Sequence, residues 1–227
     1  MLPAALIPYS HQHLFSKGYV LFVHGDAATQ LWSVEKGWVK LFRTTPDGKE
    51  STLGLCTKDD IFGEAALLPD TIYLYSAEVV SADAVLTNVS QTTIQQEIVQ
   101  KPALAQTFMP IMHALLAKQQ QFMDQLQSLT AQGRLGCFLL RLCDKIDFPQ
   151  IKNIQLTLPL DKHVLASALA MKPETFSRAL LHLRAFGVHT YGETLVLESV
   201  EKLRQYVCST CTASGLCDVE GKAIRDS

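Results

Sequence analysis

The sequence predicts an α+β protein: a β-rich N-terminal part, one long helix, and a small helical domain closed by a two-stranded hairpin. Three observations carry this. Over residues 14–100, short apolar runs alternate with turn signals about every 10–12 residues, as in a small sandwich or barrel. Over residues 103–132 the apolar positions recur at helical spacing. Beyond them come short helices and a strand pair that follows Gly187 and turns at Gly192-Glu193.

The first strands are expected at 19–23, 31–34, 38–42 and 51–55, separated by His24-Gly25-Asp26, Glu35-Lys36-Gly37 and Pro46-Asp47-Gly48. Asp47-Gly48 is a strong hairpin signal. Residues 75–80 and 85–89 complete the set, and the character changes near Thr92. In the long helix Phe108, Met112, Leu115, Gln119, Phe122, Leu126 and Leu129 are spaced 4, 3, 4, 3, 4, 3. That is a narrow heptad seam interrupted by one polar residue, which favours a homodimeric coiled coil over a helix packed on its own domain. Pro110 predicts a kink or a late helix start. A second helix is expected over 133–148, a strand over 153–158, short helices over 161–170 and 173–186, a wing over 188–197 and a last helix over 199–207.

The chain has 227 residues, 48% of them hydrophobic, enough for one or two packed domains. Its net charge is −2, but residues 134–207 carry +3 against −4 before them. That asymmetry suits a phosphate-facing C-terminal domain. No apolar run approaches the roughly 18 residues of a membrane span, and the N-terminus does not read as a secretory signal. A cytoplasmic protein with no membrane partner is therefore expected, with its six cysteines reduced and open to metal or redox roles. Neither a phosphate loop nor a nucleophile–base motif points to an enzyme.

The DNA-reading signal lies in residues 165–183. Ala166 and Ala170 are small enough for two helices to cross closely, over a core of Leu165, Leu169, Phe176, Leu180 and Leu183. Pro173 suits the first turn of the second helix. Glu174, Ser177 and Arg178 then share one face, with Lys172 and Thr175 beside them. Arg can donate twice to guanine and Glu can accept from cytosine in the major groove. Alone, Glu174 and Arg178 would read as an exposed i,i+4 ion pair; the helix pair before them and the wing after them favour double-stranded DNA.

At these residues the chain resembles the CRP/FNR regulators, over about residues 14–207. The resemblance rests on Gly18, Gly25-Asp26, Gly37-Trp38-Val39-Lys40-Leu41, Asp47-Gly48-Lys49-Glu50, Asp60-Ile61-Phe62-Gly63-Glu64-Ala65-Ala66-Leu67 and Pro173-Glu174-Thr175-Phe176-Ser177-Arg178. It implies a cupin-like β-roll sensor over 1–100, a dimerisation helix over 101–132, a winged helix-turn-helix over 133–207 and a cysteine-containing tail over 208–227. The Glu-x-x-Ser-Arg spacing is similar to the FNR-type reader, which implies TTGAT-like half-sites in an inverted repeat. RNA polymerase is an implied partner; residues 44–50 could touch it, although a plain solvated hairpin is the simpler reading.

The family's cyclic AMP binders use a Gly-Glu pair and an Arg-Ser on the phosphate. Gly63-Glu64 matches the first, but Leu74-Tyr75-Ser76-Ala77 stands where the Arg is needed. Cyclic AMP is therefore not expected, since a buried phosphate would lack its charged partner. The tail reads Cys208, Cys211 and Cys217, three thiols that could cap one metal or cluster, serve as redox thiols, or be incidental. The resemblance implies an iron–sulfur cluster, 4Fe-4S, sensing oxygen, nitric oxide or redox state. Its fourth ligand must come from elsewhere: Cys143 is preferred slightly over Cys137, Cys56 or a carboxylate such as Asp144. Haem, with His24, His113, His11 or His13 as ligand, is a weaker alternative. An iron–sulfur or ligand-binding protein with a vestigial reader is the competing class.

Overall fold

The computed structural model describes residues 2–145, 152–157, 161–192 and 194–209. They form two compact units, Met1–Leu116 and Ala117–Ser227.

The first unit carries β1 (His11–Ser16), β2 (Val20–Phe22), β3 (Gln30–Lys36), β4 (Val39–Thr44), β5 (Glu50–Cys56), β6 (Ile61–Phe62), β7 (Ser76–Val79) and β8 (Asp83–Ser90). They pair antiparallel as two four-stranded sheets, β1-β8-β3-β6 and β2-β7-β4-β5. Leu31, Val34, Leu86 and Val89 of the first sheet join Val39, Ala77 and Val79 of the second in one core, with Phe22 and Phe62. Two strands escape sequence periodicity. β1 is an exposed edge strand with no apolar alternation, and β6 is two residues long. Gly37 makes a turn that only glycine fits: its φ is +93°, and a Cβ there would lie 2.6 Å from the Asp83 carbonyl oxygen.

Lys40 is a buried charge in this unit. Its Nζ lies 2.7 Å from Glu50 and 2.8 Å from Glu78, 4.3 Å above the Phe42 ring. Burial opposes its charge, but the two carboxylates outweigh burial and hold the ammonium above its ordinary range.

Ser90 caps α1 (Gln91–Gln100) by accepting from the Thr93 N–H; this helix is a further element the apolar pattern does not announce. In α2 (Leu104–Ser128), Leu104 and Phe108 bury into the first unit's core and Ile111 packs partly against it. Pro110 lies within α2, after its start at Leu104. The helical pattern expected to run to residue 132 stops at Ser128, whose Oγ donates to the Asp124 carbonyl. Thr130 then accepts from the Gly133 N–H, and α3 (Ala131–Lys145) begins. A threonine cap supplies a local alternative to continued helix, so α2 ends four residues earlier than periodicity suggests.

The second unit adds β9 (Lys152–Thr157), α4 (Lys162–Ala168), α5 (Pro173–Leu183), β10 (Val188–Tyr191), β11 (Thr194–Ser199) and α6 (Val200–Cys208). β10-β11-β9 form an antiparallel sheet. Leu135 and Leu139 of α3, Leu183 of α5 and Leu203 of α6 are fully buried. Gly136 lets α6 approach closely: a Cβ there would stand 2.5 Å from Val207 Cγ2. Ala170 corrects one expectation. Ala166 is buried, but Ala170 is exposed in the α4–α5 turn with φ +50°, so its small size serves the turn rather than the helix crossing. The α+β architecture is as the sequence predicts.

Candidate nucleic-acid interface and sensor residues

α5 is strongly two-faced. Phe176, Ala179 and Leu183 are buried, while Lys172, Glu174, Thr175, Ser177 and Arg178 are exposed. Pro173 occupies the first helical turn, and Lys172 at the N-cap makes no side-chain cap. The early N–H groups of α5 are thus left without a side-chain acceptor, the arrangement that favours a phosphate oxygen. Ser177 Oγ donates back to the Pro173 carbonyl at 3.0 Å, which fixes its rotamer and leaves its lone pairs outward. Among the described residues no ion pair joins Glu174 to Arg178. The bland reading of these two as a surface salt bridge therefore loses its contact, and both remain able to meet a ligand.

The elements around α5 hold it in place. Arg134 of α3 donates Nε to the Leu169 carbonyl at 3.2 Å and Nη1 to the Leu129 carbonyl at 3.0 Å. It thereby ties the α2–α3 joint to the turn before α5. At the other end His182 meets the Tyr206 hydroxyl at 3.3 Å, and Tyr206 stacks on Phe186 at 3.8 Å. In the hairpin, His189 Nε2 lies 2.8 Å from Glu198 Oε1, and Tyr191 is exposed near its tip. Arg134 and Tyr206 carry no motif of their own; only the fold shows what they join.

The seam residues divide by environment. Phe108 and Leu129 are buried, Leu115, Phe122 and Leu126 are half-buried, and Met112 and Gln119 are exposed. The exposed large apolar side chains of α2 are Met109, Met112, Leu116 and Met123. These share Met112 and the Gln119 register with the expected seam but lie one residue later at alternate positions.

In the first unit the Tyr75 hydroxyl donates to Glu64 Oε2 at 2.5 Å and accepts from the Gly63 N–H at 2.8 Å. Burial, then the Glu64 charge, push its pKa well above the ordinary tyrosine value. Next to it Tyr73 stacks on Phe22 at 3.6 Å and exchanges hydrogen bonds with the Gln30 backbone. Gly63, at φ +76°, could not carry a Cβ, which would fall 2.8 Å from the Gln30 oxygen. Gly63-Glu64 is thus a turn braced by tyrosines. The sequence places Tyr75 where an Arg is missing but does not show that its hydroxyl reaches Glu64.

Of the tail residues, Cys208 ends α6 and is half-buried; Cys211 and Cys217 lie outside the described residues. Cys143 is buried in α3, and burial together with Asp144 pushes its thiol up to about 11, against the opposing pull of Arg204. Asp144 is 62% exposed, 3.6 Å from Arg204 on α6. Cys137 is buried and receives the Gln125 amide at 3.4 Å, and Cys56 is buried in the first unit's core. Among the described residues no three ligand-type side chains form a metal-holding group. His11, His13, His24 and His113 are all exposed, and no hydrogen bond or ring contact joins any two of them.

Comparison with known proteins agrees with this architecture. Residues 12–101 match the cyclic nucleotide-binding domain, and residues 133–206 match the Crp-like helix-turn-helix domain. The chain is 29% identical over 215 residues to the "Anaerobic regulatory protein" of Bacillus subtilis, covering 93% of this chain and 90% of that one. A crystal structure of a Ruegeria pomeroyi protein, described as cyclic-nucleotide-binding, is 32% identical with a TM-score of 0.69, covering 89% of this chain and 88% of that one. FixK2 of Bradyrhizobium japonicum shares the fold at 20% identity, with a TM-score of 0.75 over 86% of this chain and 96% of that one. A two-sheet N-terminal unit, a long helix and a winged helix-turn-helix in this order, with these matches along the chain, make it a member of the CRP/FNR family of transcription regulators.

Proposed function

We propose that this regulator acts as a homodimer that reads TTGAT-like inverted repeats in double-stranded DNA. Glu174, Ser177 and Arg178 contact base edges, and Lys172 and Thr175 contact the backbone. One observation carries this reading: Glu174, Ser177 and Arg178 stand exposed on one face of α5, with Glu174 and Arg178 not paired to each other, while Phe176, Ala179 and Leu183 are buried. A dimer presents two such helices related by a two-fold axis, so its operator is palindromic. The exposed side chains of α2, Met109, Met112, Leu116 and Met123, supply the dimer contact together with Gln119 and the half-buried Leu115, Phe122 and Leu126. RNA polymerase is the downstream partner and the cytoplasm the compartment.

The test is binding of an Arg178→Ala variant to a TTGAT palindrome at fixed salt. We expect a loss of about tenfold or more per half-site, from a bidentate contact worth about 1–3 kcal/mol, with relaxed preference at the guanine. Unchanged affinity and unchanged base preference overturn the reading.

The signal is proposed to enter through Cys208, Cys211 and Cys217, which hold an iron–sulfur cluster that responds to oxygen, nitric oxide or redox state. The donor chemistry supports this in part. Cys208 is placed at the end of α6, and Asp144 offers an exposed carboxylate beside Arg204, one turn earlier on that helix. Asp144 is exposed, whereas Cys143 is buried with its thiol held up to about 11. Asp144 is therefore a better fourth donor than Cys143. Anaerobic purification, visible absorption and iron, sulfide and zinc analysis test the cluster. A colourless, metal-free protein with unaltered DNA binding overturns it.

A small molecule held in the sensor unit is the second reading, favoured by the match to the cyclic nucleotide-binding domain over residues 12–101. For cyclic AMP itself the Tyr75–Glu64 bond weighs against it, because that carboxylate is already engaged.

A further inference from the structure

We propose that Leu181 is a fourth base-reading residue of α5, one that recognises the 5-methyl group of a thymine in the half-site. This rests on the DNA-reading role proposed above for the same helix. Leu181 is 61% exposed, whereas the other leucines of α5, Leu180 and Leu183, are half-buried and fully buried. A single exposed leucine is unremarkable by itself. Its position is what matters. Glu174, Ser177, Arg178 and Leu181 fall at i, i+3, i+4 and i+7, so all four line one face.

Reach and chemistry agree. Seven residues of helix advance roughly 10 Å, about three base-pair steps along the groove. Leu181 therefore addresses a base step next to those of the polar readers, not the same one. Its neighbour His182 is drawn toward α6 by Tyr206 and Phe186, which leaves Leu181 as the side chain that continues the reading face. A leucine can neither donate nor accept a hydrogen bond. In the major groove the apolar group offered by a base edge is the thymine methyl. The carboxylate, hydroxyl and guanidinium heads on this face address polar base-edge groups, so Leu181 adds an apolar contact of a different kind.

The experiment first lets the full-length chain, kept anaerobic, select its tightest duplex from a randomised pool, so the outcome does not depend on the TTGAT assignment. Each thymine of the selected half-site is then replaced by deoxyuridine, which removes only the methyl. Affinity is measured for the parent protein, Leu181→Ala and Arg178→Ala. Burying one methyl is worth roughly 0.8 kcal/mol, so one thymine should lower parent affinity about fourfold per half-site. Leu181→Ala should bind the thymine duplex more weakly and show no deoxyuridine effect at that position, while Arg178→Ala keeps the effect. If no thymine loses its deoxyuridine effect in Leu181→Ala, the assignment of Leu181 is overturned and the polar readers stand. If the chain selects no sequence at all, the DNA-reading role falls and Leu181 with it.

Discussion

The Tyr75 hydroxyl donates to the Glu64 carboxylate at 2.5 Å, across the Gly63-Glu64 turn. Calorimetry with cyclic AMP should show no binding, and Tyr75→Phe should not create it. That variant leaves Glu64 and the Gly63 N–H short of a partner, so urea unfolding should register a loss of about 1–2 kcal/mol. The pH dependence has a definite sign. The folded-state pKa of Tyr75 is raised, so its contribution is complete below the ordinary tyrosine value near 10 and declines as pH rises above it. The stability gap between the parent and Tyr75→Phe should therefore shrink above pH 10; a gap that widens refutes the assignment.

The exposed stripe of α2 predicts a dimer defect. Leu116→Asp should convert a dimer into a monomer in sedimentation and weaken palindrome binding, because a charge at a seam must be desolvated or the seam must open. Gln119→Leu should tighten the dimer without abolishing DNA binding. A Leu116→Asp protein that remains dimeric places the contact elsewhere.

Gly136 controls how closely α6, and with it Cys208, lies on α3. Gly136→Ala gains helix propensity of about 1 kcal/mol, but its methyl would meet Val207 Cγ2 at 2.5 Å. Overpacking of this kind costs about 1–3 kcal/mol. A net loss of stability is expected, partly recovered by Val207→Ala in the same chain. Additive effects of the two substitutions would show that the contact is not formed.

Ala170 sits at φ +50°, a conformation that costs a residue with a Cβ about 1–2 kcal/mol. Ala170→Gly removes that strain and gives back part of it as unfolded-state entropy. Thermal unfolding should show a gain of about 0.5–1 kcal/mol, with Arg178-dependent DNA binding retained. A lower melting temperature would mean that the Ala170 methyl makes contacts the turn depends on.

Much of the architecture is legible without coordinates because it follows from local rules. Turn glycines such as Gly37 and Gly48, the pre-set Pro173 and the three-to-four spacing of buried residues in α5 each act over a few residues. β1, β6 and α1 are not legible, since an exposed edge, a two-residue strand and a polar capped helix leave little periodic trace. The end of α2 is misjudged because Thr130 and Gly133 interrupt a pattern that hydrophobicity alone continues.

The sequence by itself determined that there is a reader helix and which residues share its outward face, because a 3.6-residue repeat assigns faces without knowing the neighbours. It also determined that the segment 74–77 holds no arginine and that three cysteines stand together in the tail. Only the tertiary structure decided which of these groups are already engaged. Tyr75 is bonded to Glu64 although eleven residues separate them, Arg134 reaches the Leu169 carbonyl thirty-five residues away, and Glu174 and Arg178, at ion-pair spacing, stay apart. Contacts of that kind depend on how distant elements approach and on which rotamers the packing allows, and neither is written in local spacing.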